Sequence, residues 1–206
     1  LRRLLFIALF VLLSVFKLGA QEVYKPRSYL GIIHGVNFSR VDFQTSGIYQ
    51  TFRTGYSGGI FFRYVSEPIA GIQIELDYTH KGWLADFGSS AYYNGRLTYV
   101  EMPVMTHITL GKNKVFFILN LGPYFSYMLT ADIETNIDYP TGIDNRFGLG
   151  YCGAIGTGFH TGIGTFQFEG RYLNSLTNFF DTSIVTQFYA TRNQVINISL
   201  VYMIRL

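Results

Sequence analysis

From Tyr29 onward the chain is made of segments in which apolar and polar residues alternate. In "IELDYTHKG" (74–82), Ile74, Leu76, Tyr78 and His80 share one parity, and Glu75, Asp77, Thr79 and Lys81 share the other. Successive side chains of a β-strand point to opposite faces, so such a segment is a strand with one apolar and one polar face. The pattern predicts eight strands: Tyr29–Phe38, Tyr56–Val65, Ala70–Lys81, Leu97–Leu110, Val115–Leu129, Phe147–Phe159, Thr165–Leu173 and Gln194–Leu206. Each is close to or above the roughly 9–11 residues with which a tilted strand crosses a bilayer. No helical period appears after residue 28.

The connections alternate in length. "SEPI" (66–69), "GKNK" (111–114) and "TGIG" (161–164) are short, whereas Ser39–Gly55, Gly82–Arg96, Thr130–Arg146 and Asn174–Asn193 are long. In an antiparallel meander all long loops then fall at one end and all short turns at the other. Outer-membrane barrels have this asymmetry, with long loops outside the cell and short turns in the periplasm. The expectation is an all-β fold: an eight-stranded antiparallel up-and-down transmembrane β-barrel, both termini periplasmic.

Parity also says which face is which. One set holds Tyr56, Ile60, Phe62, Ile72, Ile74, Leu76, Tyr78, Phe117, Leu119, Leu121, Phe168, Tyr172, Ile196, Ile198 and Leu200; the other holds Arg63, Gln73, Glu75, Asp77, Lys81, Glu101, His107, Asn120, Gln167, Glu169, Arg171 and Asn197. A soluble barrel of the lipocalin type, binding a small apolar ligand, would bury the first set. An eight-stranded lumen has little room for so much bulk, and the charges are few for a water-facing surface. Lipid outside and a paired polar lumen fit better. Aromatics at strand ends, among them Tyr56, Tyr64, Tyr78, Phe125, Tyr127, Tyr172 and Tyr202, are placed as interfacial girdles are. His80 falls at a strand end, where a polar tip meets water. His34 sits mid-strand on the apolar parity, and a bulge in "LGIIHGVNF" is expected to move it inward.

The first twenty residues differ. Arg2 and Arg3 precede an apolar run from Leu4 to Phe16, and Leu18-Gly19-Ala20 follows. This is the plan of a secretory signal, too short for a spanning helix, with cleavage expected after Ala20 and a barrel domain over 21–206. Without Arg2, Arg3 and Lys17 the 16 basic residues become 13, equal to the 13 acidic ones. A neutral mature chain has no basic stripe for nucleic acid. Cys152 is the only cysteine, so no internal disulfide forms; a buried or lipid-facing strand position suits it. The last strand, "VINISLVYMIRL", alternates to Leu206 and is similar to the terminal signal read by the barrel assembly machinery.

Together the segments resemble the PorT-like outer-membrane β-barrel family, also described as porin-family proteins. "ELDYTHKG" (75–82) resembles its Glu-Leu-x-Tyr-x-x-Lys-Gly strand and "YVEMPV" (99–104) its Tyr-x-Glu-x-Pro strand; "LGPYFSYML" (121–129) and "RYLNSLTN" (171–178) are similar to later strands. The resemblance covers roughly residues 28–206. It implies a barrel in the outer membrane of a Gram-negative bacterium, with outer-membrane lipid around it and an accessory role in protein secretion as one implied function.

Three chemistries follow. Arg63, Glu75, Asp77, Lys81, Glu101, Glu169 and Arg171 form a candidate lumen charge network, Arg63 and Glu101 flanking Glu75 and Arg171 reaching across. Its expected role is structural, since buried charges must be paired. Phe43, Trp83, Tyr92, Tyr93 and Tyr139 are candidate loop aromatics for a secretion-system or cell-surface partner; packing the loops together is the alternative. A lipid-modifying enzyme is the third reading, but His34, His80, His107 and His160 have no metal-ligand spacing and no Gly-x-Ser-x-Gly occurs. "GLGYCG" (148–153) matches a nucleotide-binding glycine pattern without a βαβ context, and its glycines read as room for barrel curvature. No catalytic residue, metal or cofactor is expected.

Overall fold

In a computed structural model the described residues are 24–43, 49–87, 91–111, 114–139, 141–180 and 191–206. Residues 1–20, where a secretory signal is expected, lie outside them. The strands are β1 (Arg27–Asp42), β2 (Tyr49–Thr51), β3 (Arg53–Val65), β4 (Ala70–Asp86), β5 (Tyr92–Leu110), β6 (Val115–Thr135), β7 (Phe147–Thr161), β8 (Gly164–Ser175) and β9 (Arg192–Arg205). β2 continues β3. It pairs Thr51 with Leu84 of β4, β3 pairs Ser57 with Thr79, and so five residues (52–56) face four (80–83) across a bulge. The wall thus has eight strands, each antiparallel to its chain neighbours, and β9 closes the ring on β1.

The registers define the barrel's stagger. Stepping from Ser28 through Tyr64, Ile72, Thr106, Leu121, Gly153, Tyr172 and Ile196 returns to β1 at Phe38, ten residues further along. With the usual strand spacing and rise, this stagger tilts eight strands about 40° from the axis. At that size the lumen holds side chains and little else.

Parity sorts the wall as the alternation implies. Ile72, Ile74, Leu76 and Tyr78 are exposed on the outside, and Gln73, Glu75, Asp77 and Thr79 are buried inside. The same exposed apolar band continues through Ile60, Phe62, Phe117, Leu121, Ile155, Phe168, Ile198 and Leu200. A contiguous apolar belt of this extent belongs against lipid.

Two sequence expectations are corrected. β1 keeps unbroken register with β3 and β9 from Tyr29 to Ser39, so no bulge turns His34 inward; it points outward between Gly58 and Leu200. The segments 82–96 and 130–146 are also only partly loop, because the β4, β5 and β6 ladders run on to Asp86, Tyr92 and Thr135. These three strands, with β2 paired beside the end of β4, extend the wall at the long-loop end. A register shift at Thr98/Tyr99, with Leu129 as the extra residue on β6, reverses the parity of β6 above that point and turns Ala131 and Ile133 toward the interior.

Candidate functional site

The lumen is layered. At the short-turn end Ile33, Phe61, Phe116, Ile118, Val201 and Met203 form an apolar plug. At the long-loop end Val41, Phe43, Trp83, Tyr93, Leu97, Tyr99, Met128, Phe179 and Phe180 form an apolar cap. The other buried charges lie between them, while Arg63 sits within the plug, 5.3 Å from the Phe61 ring centre and 3.3 Å from Met203 Sδ.

Arg171 on β8 reaches across to β4: Nη1 and Nη2 donate to the two carboxylate oxygens of Glu75 at 2.6 and 2.9 Å, and Nη2 also donates to Glu169 at 2.6 Å. Lys81 pairs with Glu101 and lies 4.8 Å from the Tyr99 ring centre and 5.4 Å from that of Tyr124. Arg63 does not pair with a carboxylate. It donates to the side-chain carbonyls of Gln73 and Gln167, whose amide groups donate to Glu75 and Glu169. Asp77 is 3.7 Å from Arg171. Glu101 stands opposite Asp77 rather than beside Glu75. The relay through Gln73 and Gln167 is invisible to a search for opposite charges. Their inward parity is legible in the sequence; that two amides carry the charge of Arg63 to the carboxylates is not.

Fully desolvated ions are tolerable only when their lone pairs and protons are taken up. Arg171 is suited to this role by its planar fork, which grips one carboxylate with two donors. His107, also buried, is hydrogen-bonded to Asn120 (2.6 Å) and Thr109 (2.7 Å). The histidines occupy four separate places: His34 outside at mid-wall, His107 in the lumen, His160 beside Thr165 at the short-turn end, and His80 at the long-loop end between the Tyr56 hydroxyl (2.8 Å) and Thr98 (3.2 Å).

The loop aromatics are mostly not on a surface. Phe43, Trp83 and Tyr93 are each 0% exposed, Tyr139 is half-buried and Tyr92 is exposed. Trp83 stacks on Phe179 at 5.5 Å and meets Phe43 edge-on at 5.5 Å. Its ring lies over Gly95, where any side chain would collide with it. Burial and the neighbouring Tyr139 raise the Tyr93 phenol's pKa above its ordinary value. The glycines of "GLGYCG" have a similar spatial role: a Cβ on Gly150 would strike the Tyr124 ring.

The four quoted motifs converge on this lumen. Glu75 and Lys81 come from the first, Tyr99 and Glu101 from the second, Tyr124 from the third and Arg171 from the fourth. The motif pair on β4 and β5 is joined by the Lys81–Glu101 ion pair.

An exposed apolar belt around a closed wall and a paired, filled lumen define an integral β-barrel of the small outer-membrane class. The profile of the outer membrane protein beta-barrel domain matches residues 20–181, and the chain belongs to that family. Among solved structures it is similar to the outer membrane protein OprG from Pseudomonas aeruginosa (12% identity, 87% of this chain and 95% of that chain covered, TM-score 0.55). It is also similar to Ail, the attachment invasion locus protein of Yersinia pestis (14%, 86% and 99%, 0.46), and to Neisserial surface protein A (10%, 87% and 99%, 0.46). At these identities the likeness to OprG concerns the fold. No curated protein sequence matches significantly.

Proposed function

We propose that this protein is a closed, non-conducting barrel that acts through the wall and loops at its long-loop end. That end lies outside the cell, and both termini lie in the periplasm once residues 1–20 are removed. The observation that carries this reading is that apolar side chains pack both ends of the lumen around a buried charge network. A lumen packed in this way leaves the extended β4–β6 wall as the surface available to other molecules. Tyr92, at the start of β5 and exposed there, is the candidate aromatic that remains open to a partner. Among such interactions, a PorT-like accessory role in protein secretion is the one that the motif resemblance supports.

Reconstitution into planar bilayers tests the closure. The refolded protein is expected to insert without stable single-channel conductance; reproducible channels at neutral pH would refute the reading. A photo-crosslinker at Tyr92 in intact cells should give adducts that the same probe at lipid-facing Ile155 does not. Equal labelling from both sites would argue against a partner at the rim.

A further inference from the structure

The buried charges of the lumen do not balance. Arg63, Lys81 and Arg171 stand against Glu75, Asp77, Glu101 and Glu169, three cations to four carboxylates among the described residues. His107 makes its two ring hydrogen bonds to neutral groups, the Asn120 carbonyl and the Thr109 hydroxyl, and none to a carboxylate.

The pairing shows which carboxylate is left over. Arg171 spends both terminal nitrogens on Glu75 and Glu169, Lys81 is taken by Glu101, and Arg63 is turned toward two glutamines. Asp77 has only the 3.7 Å approach to Arg171, and its Oδ1 has no hydrogen-bond partner although its side chain is only 9% exposed. That oxygen lies where a side chain on Gly59 would be. Asp77 lines an internal cavity of about 20 Å³ with Asn37, Ser57, Thr79 and Asn197, room for about one water.

Each element packed against Asp77 contributes to its surroundings. β4 presents Glu75 and Thr79, β5 presents Glu101 directly opposite, and β8 presents Arg171; β3, β1 and β9 present only neutral groups, Gly59 and Ser57, Asn37, and Asn197. Asp77 therefore has two carboxylates and one already engaged cation as its charged neighbours. The Glu75 and Asp77 carboxylates, two residues apart on the inward face of β4, share one cation: Arg171 Nη1 lies 2.6 Å from Glu75 and 3.7 Å from Asp77. Two carboxylates sharing a desolvated site and one cation do not both ionise. A metal cation is less suited to the place, because the Asn37 carbonyl and the Ser57 hydroxyl oxygen already accept from Asn197.

We propose that the lumen binds one proton, held between Asp77 and Glu75, and that this proton completes the charge balance of the network. The site is a proton-binding site inside the membrane span, and with its proton in place the lumen is neutral.

Infrared spectroscopy of the refolded, full-length mature protein reads this directly. At neutral pH the wild type should show a protonated carboxylic C=O stretch, shifted in D₂O, on top of the carboxylate bands of its exposed acids. Asp77→Asn removes the extra carboxyl and should abolish the band. Glu75→Gln should abolish it as well, because Asp77 then ionises against the freed Arg171. If either variant fails to refold, the wild-type band and the other variant still decide. A wild type without the band would overturn the proposal, as would a band that survives Asp77→Asn at full intensity. Loss of the band on adding sodium or potassium would replace the proton with a metal cation.

Discussion

At the scale of single residues, this barrel depends on pairing rather than on charge as such. Removing one partner of a buried ion pair leaves the other uncompensated, which costs about 3–5 kcal/mol, whereas replacing both with apolar groups is often neutral. Lys81→Met alone is therefore expected to destabilise the refolded barrel by about that amount. The double change Lys81→Met with Glu101→Leu should recover most of the loss. Denaturant unfolding in detergent measures both; equal stability of the single and double variants would mean that the pair is not coupled. Cys152 makes a second residue-level prediction. Its thiol is fully buried and faces the Gly122 carbonyl at 3.4 Å. Maleimide should not label it in the folded barrel and should label it fully after heat unfolding, as gel shifts will show. The face each charge occupies is legible in the sequence, because parity alone assigns Glu75, Asp77 and Arg171 to one side. The partners are not, since cross-lumen distances depend on a ten-residue stagger that no local pattern reveals, and Gln73 and Gln167 carry no charge to attract notice.

At the scale of elements, the extended β4–β6 wall is the least legible part. "GWLAD" and "YYNGR" have the Gly, Asn and Asp content of loops, yet their backbones pair from Leu84–Asn94 to Asp86–Tyr92. What holds them is the cap, to which Trp83 contributes a large, fully buried ring. Trp83→Ala should cost about 3–5 kcal/mol, the range for a truncated core aromatic. It should also raise amide exchange across 82–86 and 92–97 while leaving β8 and β9 protected. Uniform exchange across all strands would show that the cap does not stabilise the wall locally. Trp83 is the only tryptophan, so its fluorescence reports the cap alone: emission should be blue-shifted and poorly quenched by acrylamide. The strand cores were readable for the opposite reason. Where one face meets lipid and the other a packed lumen, every second residue is constrained and the period of two is plain.

At the scale of the whole molecule, the barrel is a soluble fold's pattern reversed, with its polar residues packed inside and its apolar belt outside. His34 is an outward residue on this belt that breaks the rule, and nothing in the structure explains it. Spin labels on β4 and β3 test the reversal most directly. Labels at Ile74, Leu76 and Tyr78 should be accessible to lipid-dissolved oxygen and shielded from a water-soluble nickel reagent. Labels at Thr79 and Ser57, beside the internal cavity, should be shielded from oxygen. A period-two alternation of oxygen accessibility along residues 74–79 is the predicted result. No alternation, or oxygen access at Thr79 and Ser57 with nickel access at Ile74 and Leu76, would contradict a barrel with lipid outside and charge within.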